Sequence, residues 1–321
     1  MQLRKLIFGT SVLSWLLASG GMALAQGYPD RPIQFIAPTT PGPTADVVAR
    51  VVGDAMSKVL KQSVVVINKP GAEQVVGFEY IAKSAPADGY TVGVIGIDGQ
   101  ALMPLVWKSL RFDPFKDLTL VAGIGEVRYL LATPAASAPA NFKEVIAAAR
   151  AAPGKFNYGS STPQVRLYTL SLIQELGLDL VHVPFPSGAP FVNALITSQI
   201  EWGIIAEGTS LPIKSRIRVH GITGTTRSAA NPDVPTFAEL GFPKIYGPAY
   251  ALAVRTGTPQ AIIDRLSAAA AAALALPEMK ASAQKILFEI HYENQEAISR
   301  ASAERFRFYQ DLSKKAGLKP E

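Results

Sequence analysis

The chain has 321 residues, 31 basic against 25 acidic, and no cysteine. That length suits one large domain or two medium ones with an ample core. The missing cysteine excludes a disulfide framework, a cysteine-borne lipid anchor, a thiol nucleophile and any Cys-based metal site. The formal net charge of +6 is spread without a Lys/Arg run, which mildly favours acidic solutes and argues against nucleic acid as a partner.

Met1-Gln2-Leu3-Arg4-Lys5, the apolar stretch to Leu17 and the small-x-small site Ala23-Leu24-Ala25 have the layout of a secretory signal peptide. The expectation is a leader over residues 1–25, cleaved after Ala25, and a mature protein free in the periplasm. The later alanine run Ala268–Ala273 is short and flanked by Asp264, Arg265, Glu278 and Lys280, so it does not read as a membrane span.

Taken in order, Ile33–Ala37 and Val64–Ile67 are β-rich, and Asp46–Leu60 carries apolar residues at helical spacing, so the mature chain opens β-α-β. A helix near Gly77–Lys83, a strand at Tyr90–Ile95, helical Gln100–Trp107 and strand-like Leu118–Ala122 and Val127–Ala132 follow. A second unit repeats the alternation. Its helices are Asn141–Ala152, Pro163–Leu176 and Pro190–Ser198, and its strands are Phe156–Tyr158, Leu180–Val183, Trp202–Ala206 and Val219–Thr223. Thr162 is placed to cap the second of these helices, with Pro163 at its first position. Tyr246–Val254 is β-like and leads back to the first unit. Three helices close the chain: an Ala-rich one from Thr258-Pro259 to Leu276, then Pro277–Leu287 and Asn294–Ala316. The last carries Phe306, Tyr309 and Leu312 on one side, as a docked surface helix would. The alternation predicts α/β with parallel or mixed sheets.

Chemistry-bearing motifs are sparse. His182, His220 and His291 stand apart, no G-x-S-x-G elbow exists, and Gly123-Ile124-Gly125 lacks a third spaced glycine. His182, in an apolar strand, reads as a satisfied core imidazole before a catalytic one. What the chain has instead is strand-to-helix turns rich in small and hydroxyl residues: Thr39–Asp46, Gly71–Gly77, Gly96–Gln100, Gly159–Thr162, Pro186–Gly188 and Ala206–Ser210. Free backbone N–H groups and hydroxyls at helix starts suit carboxylates without needing lysine. Six such turns, three per unit, predict a cleft between two lobes. Asp46 reads as a first-turn acid complementing its own helix rather than as a ligand contact.

In this order and spacing the residues are distinctive. They include Tyr28-Pro29-x-Arg31-Pro32-Ile33, Pro38-x-x-Pro41-Gly42 with Asp46 and Ala49-Arg50, and Val64-Val65-Val66-x-Asn68-Lys69-Pro70-Gly71-Ala72. Ala85-Pro86-x-Asp88-Gly89-Tyr90-Thr91, Phe112-Asp113-Pro114, Val181-His182-Val183-Pro184-Phe185 and Pro232-Asp233-Val234-Pro235-Thr236 follow. The mature chain, over nearly its whole length, resembles the Bug family, the periplasmic solute receptors of tripartite tricarboxylate transporters.

The resemblance implies a two-lobed type II periplasmic-binding-protein fold, each lobe a mixed sheet flanked by helices, with a two-strand hinge. Lobe 1 would comprise residues 26–126 with 252–321, and lobe 2 residues 127–251. It implies a monomer that captures a small organic acid and hands it to membrane permease subunits, with no catalytic residue, cofactor or metal. The implied ligand-binding positions are Thr39, Thr40, Gly42 and Thr44, then Ile97, Asp98 and Gly99. In the second lobe they are Ser160, Ser161 and Thr162, Pro186, Ser187 and Gly188, and Ala206 and Glu207. Presentation of the ligand to a sensor kinase is the alternative within the class. A serine hydrolase using Ser160 or Ser161 with His182 is the alternative from another class.

The departures matter. Pro43 has no N–H to donate where relatives commonly carry glycine, and Glu73-Gln74 stand where a glycine pair is usual. Glu73, Asp98 and Glu207 are three acids around an expected carboxylate site. The expectation is that at least one faces the cleft and that the solute, aromatic or bearing an amine or amide donor, is not a plain dicarboxylate. Arg128 and Arg166 are the candidate guanidinium partners, each weighed against a plain surface charge.

Overall fold

The computed structural model describes residues 27–137, 139, 141–186, 188–242, 245–315 and 320. The expected leader and Ser187 lie outside the described residues.

The first sheet begins with β1 (Ile33–Ala37), β2 (Val64–Asn68) and β3 (Thr91–Gly96), all parallel. Between β1 and β2 runs helix α1 (Thr44–Leu60). Its Val48, Val52, Met56 and Leu60 recur at the spacing of one helical face and are buried. The short helix α2 (Val75–Glu79) and α3 (Ile97–Val106) follow β2 and β3. The strand β4 (Leu118–Val127) then carries the chain out of this unit.

The second sheet takes β5 (Tyr129–Pro134), β6 (Asn157–Ser160), β7 (Val181–Pro184), β8 (Trp202–Ala206) and β9 (Ile217–Ile222) in the spatial order β7-β6-β8-β5-β9. Helices α4 (Phe142–Ala151), α5 (Pro163–Leu176), α6 (Gly188–Ile196) and the one-turn α7 (Glu207–Ser210) connect them. Thr162 caps α5 as predicted, its hydroxyl accepting from Val165 N–H at 3.1 Å, and Gly177 at φ 62 ends it.

The chain returns through β10 (Ala249–Arg255), which lies antiparallel between β3 and β4. It closes with α8 (Gln260–Ala275), α9 (Pro277–Lys285), β11 (Phe288–Glu293) and α10 (Gln295–Lys315). The first sheet is thus six-stranded, β11-β4-β10-β3-β1-β2. This is the two-lobed, mixed-sheet architecture of a type II periplasmic binding protein.

Three features differ from the sequence reading. β11 was not predicted, although Phe288-Glu289-Ile290-His291-Tyr292-Glu293 alternates with period two; it is an edge strand pairing only with β4. β4 runs on past the expected Ala122 to Val127 and includes Gly123 and Gly125. Gly125 has φ 142, and a Cβ there would sit 2.2 Å from Glu289 O, so β11 can approach only a glycine. The closing helix α10 is more than a surface helix. It packs on α3 of the first lobe and α5 of the second, and Tyr309 and Leu312 share one core cluster with Ala101, Leu102, Leu167, Tyr168 and Leu172.

The topology fixes where the lobes meet. β10 is antiparallel to both β3 and β4, so β4 runs with β1 and β3 and ends at their carboxyl edge. β5 starts opposite the end of β8, Tyr129 facing Ala206. Only Arg128 separates β4 from β5. The carboxyl edges of the two parallel strand sets therefore adjoin, and the loops leaving β1, β2, β3, β6, β7 and β8 all open there.

Candidate ligand site

At one corner of this junction is a cavity of about 420 Å³. The second lobe supplies Ser160, Ser161, Thr162, Arg166 and Leu167 from the β6–α5 turn, with His182, Pro184, Phe185 and Pro186 from β7 and its exit. The facing wall is Glu73, Leu105, Val106 and Trp107, with Ser313 of α10. A smaller space of about 150 Å³ adjoins it, walled by Glu73, Gln74, Gly99, Leu102, Met103, Val106, Trp107 and Thr162. Glu73, Val106, Trp107 and Thr162 belong to both.

The polar end of the cavity is built on the positive start of α5; Pro163 there has no N–H, and the Val165 and Arg166 N–H groups already donate to Thr162 Oγ1 and O. Buried Ser160 holds its Oγ 2.8 Å from His182 Nε2. Arg166 sits one turn into α5, beside Tyr158 and His182; its Nε is buried without a hydrogen-bond partner. A buried guanidinium N–H without an acceptor is costly unless something supplies one. Burial, and then the Arg166 charge, hold the His182 imidazole below its ordinary pKa, so it is neutral at neutral pH. The corner thus carries one fixed cation, a hydroxyl and a helix start: a place for an anion.

The opposite wall is held unusually. After Gly71, at φ 136, Ala72, Glu73 and Gln74 all have positive φ (42°, 49° and 84°). Left-handed backbone costs a non-glycine residue roughly 1–2 kcal/mol, and such strain tends to gather at functional sites. Here it puts Glu73 in the wall of both cavities. Trp107 follows from α3: Pro104 cannot donate within the helix, which stops at Val106, and Trp107 leaves it in extended conformation.

The positions expected from the sequence are distributed as follows. Ser160, Ser161, Thr162 and Pro186 come together in the larger cavity, and Gly99 joins Thr162 in the smaller one. Thr40 and Gly42 are exposed and Thr39 and Thr44 half-buried on the facing edge; none lines either space. Gly42 N–H is already taken, donating to Asp46 Oδ2 at 3.0 Å. Asn68 Nδ2 donates to Asp46 Oδ1 at 2.8 Å and to Thr39 O at 3.1 Å, and Arg50 donates to both Asp46 oxygens. Burial alone would raise the Asp46 pKa, but the bonds from Arg50, Gly42 and Asn68 outweigh it and hold the carboxyl below its usual range. The β1–α1 turn is therefore filled by its own carboxylate. Gly188 is exposed and Ala206 half-buried, packed against the first-lobe core.

Of the three acids, only Glu73 lines these two spaces. Asp98 is fully buried and turned inward, accepting from Arg305 Nη1 at 2.6 and 2.7 Å, Tyr309 Oη at 2.8 Å and Ala249 N–H at 3.2 Å. Ile97, beside it, opens on a separate cavity of about 210 Å³ with Glu126, Tyr246 and Arg305. Glu207 is buried, accepts from Asn231 Nδ2 at 2.7 Å, and borders a further space near the crossing. Arg128 is also structural. It donates to the Thr223 and Thr226 carbonyls, and its Nη2 lies 2.6 Å from Glu289 Oε2 as an ion pair without hydrogen-bond geometry.

Several wall residues were not foreseen as site residues, among them Leu105, Trp107, Phe185 and His182; His182, expected in the core, is half-buried in the cavity wall. The signal for His182 was its register: in parallel pairing it falls beside Tyr158, two residues before Ser160, and its ring reaches along the sheet to that hydroxyl. The Ser160–His182 contact lacks the third member of a hydrolytic triad: no carboxylate is hydrogen-bonded to His182 among the described residues. Among the described residues no cluster of His, Asp and Glu could hold a metal ion, and no helix is long and apolar enough to cross a membrane.

Residues 48–318 match the sequence profile of the tripartite tricarboxylate transporter family receptor. The chain is 30% identical over 312 residues to a protein from the gbd 5' region of Cupriavidus necator, covering 94% of this chain and 93% of that one. It is 33% identical over 270 residues to Protein BugT of Bordetella pertussis, covering 80% and 81%. Among solved structures, an R. palustris protein with adipate superimposes with a TM-score of 0.76 at 27% identity, covering 92% of this chain and all of that one. A periplasmic transporter does so at 0.75 and 32% identity, covering 91% and 99%.

Proposed function

The chain belongs to the tripartite tricarboxylate transporter receptor family, and from that premise we propose how it holds its solute. The protein is a periplasmic carboxylate-binding receptor of such a transporter and not an enzyme. The observation that carries the reading of the site is the Arg166 corner, with its unbonded buried Nε beside Ser160 and the start of α5. A carboxylate accepts there from the guanidinium and the Ser160 and Ser161 hydroxyls, beside the positive end of α5. Micromolar affinity needs about 8 kcal/mol. Hydrogen bonds to a charged group contribute about 1.5–3 kcal/mol each, so two or three of them with apolar burial suffice.

The far end of the solute is the finer part of the proposal. Trp107, Leu105, Phe185 and Pro186 offer apolar and aromatic surface to its body, and Glu73 opposes a second carboxylate while favouring an amine or amide donor. Lobe 1 closes on lobe 2 about the crossings at Arg128 and before β10, a few residues from the expected boundaries at 126/127 and 251/252. That motion carries the Thr39–Thr44 edge toward the acid and forms the surface a permease reads. β10 pairs in the first sheet from Ala249, so the second crossing lies just before that residue. The leader is cleaved after Ala25 and the receptor acts as a monomer.

The test is a thermal-shift screen of the mature protein against small acids, run in parallel on Arg166→Leu. A ligand at a hundred times its dissociation constant adds about 2.7 kcal/mol. Acids should stabilise the wild type and not the variant. An acid that stabilises both equally places its carboxylate elsewhere and refutes the Arg166 corner.

A further inference from the structure

The carboxylate corner contains an imidazole, which can take up a proton. His182 Nε2 lies 2.8 Å from Ser160 Oγ, and both residues line the same cavity as Arg166. A serine hydroxyl has one proton to give. If Nε2 accepts it, Ser160 turns only lone pairs to the cavity, and a carboxylate finds no donor there. If Nε2 carries a proton and donates it to Oγ, the serine proton is free for the ligand. The state of the imidazole therefore decides whether Ser160 helps or opposes an anion.

Resting on the carboxylate-receptor reading above, we infer that His182 is a positioning residue: an anion entering the corner draws a proton onto its imidazole, which turns the Ser160 hydroxyl toward the anion, so that acid capture tightens as the pH falls.

The surroundings of the ring set the sign. From β6 it faces Ser160 and the Tyr158 ring, at 5.0 Å between centroids; from α5 it faces the Arg166 guanidinium; across the cavity stands Glu73. In the free protein, burial and Arg166 disfavour a second cation. A carboxylate beside both groups offsets the Arg166 charge and pairs with the imidazolium through the serine, raising the histidine's proton affinity. Linkage then requires each to favour the other. At pH above the bound-state midpoint no proton is taken up and the affinity is at its floor; as pH falls through that midpoint toward the free-state one, the affinity rises. A difference of one unit between the two midpoints corresponds to about tenfold in affinity. An imidazole held as a purely structural core group would give no such coupling.

The experiment follows the imidazole directly. The protein contains three histidines, His182, His220 and His291, so their ring-proton NMR signals are separable and His182→Gln assigns the one of interest. The pH titration is run on the full mature protein alone and with adipate, malate, benzoate or 4-aminobutyrate, while thermal shift reports which of the four acids bind. With any acid that stabilises the protein, the His182 midpoint should move up. That acid's dissociation constant should fall by roughly threefold to tenfold between about pH 7.5 and pH 5.5. His182→Gln, whatever its absolute affinity, should lose the pH dependence, and Ser160→Ala should shrink the ligand-induced shift of the midpoint. An acid that stabilises the protein but leaves the midpoint in place overturns the inference and spares the receptor reading. An unchanged pH slope in His182→Gln does the same. If none of the four acids stabilises the protein, both fall.

Discussion

Replacing Asp98 by Asn is the sharpest test of how the closing helix is tied to the cleft. Asp98 is wholly buried, its carboxylate receives both short contacts from Arg305 and one from Tyr309, and the Arg305 side chain is itself only 10% exposed. Burial disfavours the charged guanidinium, and the Asp98 carboxylate more than compensates, raising the Arg305 pKa further. Without that charge, Arg305 keeps the Gly247 carbonyl at 2.7 Å and the Tyr246 ring at 4.9 Å, neither of which neutralises it.

Breaking a buried pair by removing one partner costs about 3–5 kcal/mol. At about 2 °C per kcal/mol for a chain of this size, that is a loss of roughly 6–10 °C in Tm. Replacing both partners with apolar residues of similar volume, Asp98→Leu with Arg305→Met, removes the desolvation penalty as well and should recover most of the loss. Circular dichroism melts of the three proteins decide it. A single variant within about 1 kcal/mol of the wild type would refute the reasoning, as would a double variant as unstable as the single one. The stabilisation by bound acid should persist in the double variant, because the Asp98 carboxylate faces the core and not the solute.

Arg166→Leu should leave the free protein as stable as the wild type or more so, since it deletes a buried N–H without an acceptor, while abolishing stabilisation by acids; scanning calorimetry with and without ligand reads both. Glu73→Gln should raise the affinity for dicarboxylates relative to amine-bearing acids, by roughly fivefold for about 1 kcal/mol of lost repulsion, as measured by titration calorimetry. His220 is buried against Thr133 Oγ1 at 2.6 Å, and burial, with Arg218 adding to it, pushes its pKa down from 6.5 to about 4. The unfolded chain therefore binds the proton first. The stability this group confers is complete above about pH 6.5 and is lost as pH falls toward 4, with a slope of up to about 1.4 kcal/mol per pH unit. Urea melts across that range should be flatter in His220→Gln.

The alternation of strand and helix was legible because each element carries its own period. α1 buries Val48, Val52, Met56 and Leu60 just as their spacing requires, and Thr162 with Pro163 marked the start of α5 to the residue. Local chemistry also located the turns, since a strand followed by hydroxyls and a helix start exposes free N–H groups wherever it occurs. β11 carries a period-two alternation but is only six residues long between two helices, and its pairing with β4 is what holds it as a strand.

What the amino-acid order determined by itself is therefore the set of strand-to-helix turns, their hydroxyl chemistry and the absence of thiol chemistry. Which of those turns faces a solute was decided by the tertiary structure. Asp46 fills the first turn, where the notable departure had been Pro43; Asp98 and Glu207 turn away to Arg305 and Asn231; Glu73 alone of the three acids reaches the two adjoining cavities, on a left-handed loop that local preference would not have chosen. The reason is physical. A carboxylate's direction depends on which cation or amide the fold brings within about 3 Å of it, and Asp98 and Arg305 lie more than two hundred positions apart in the chain.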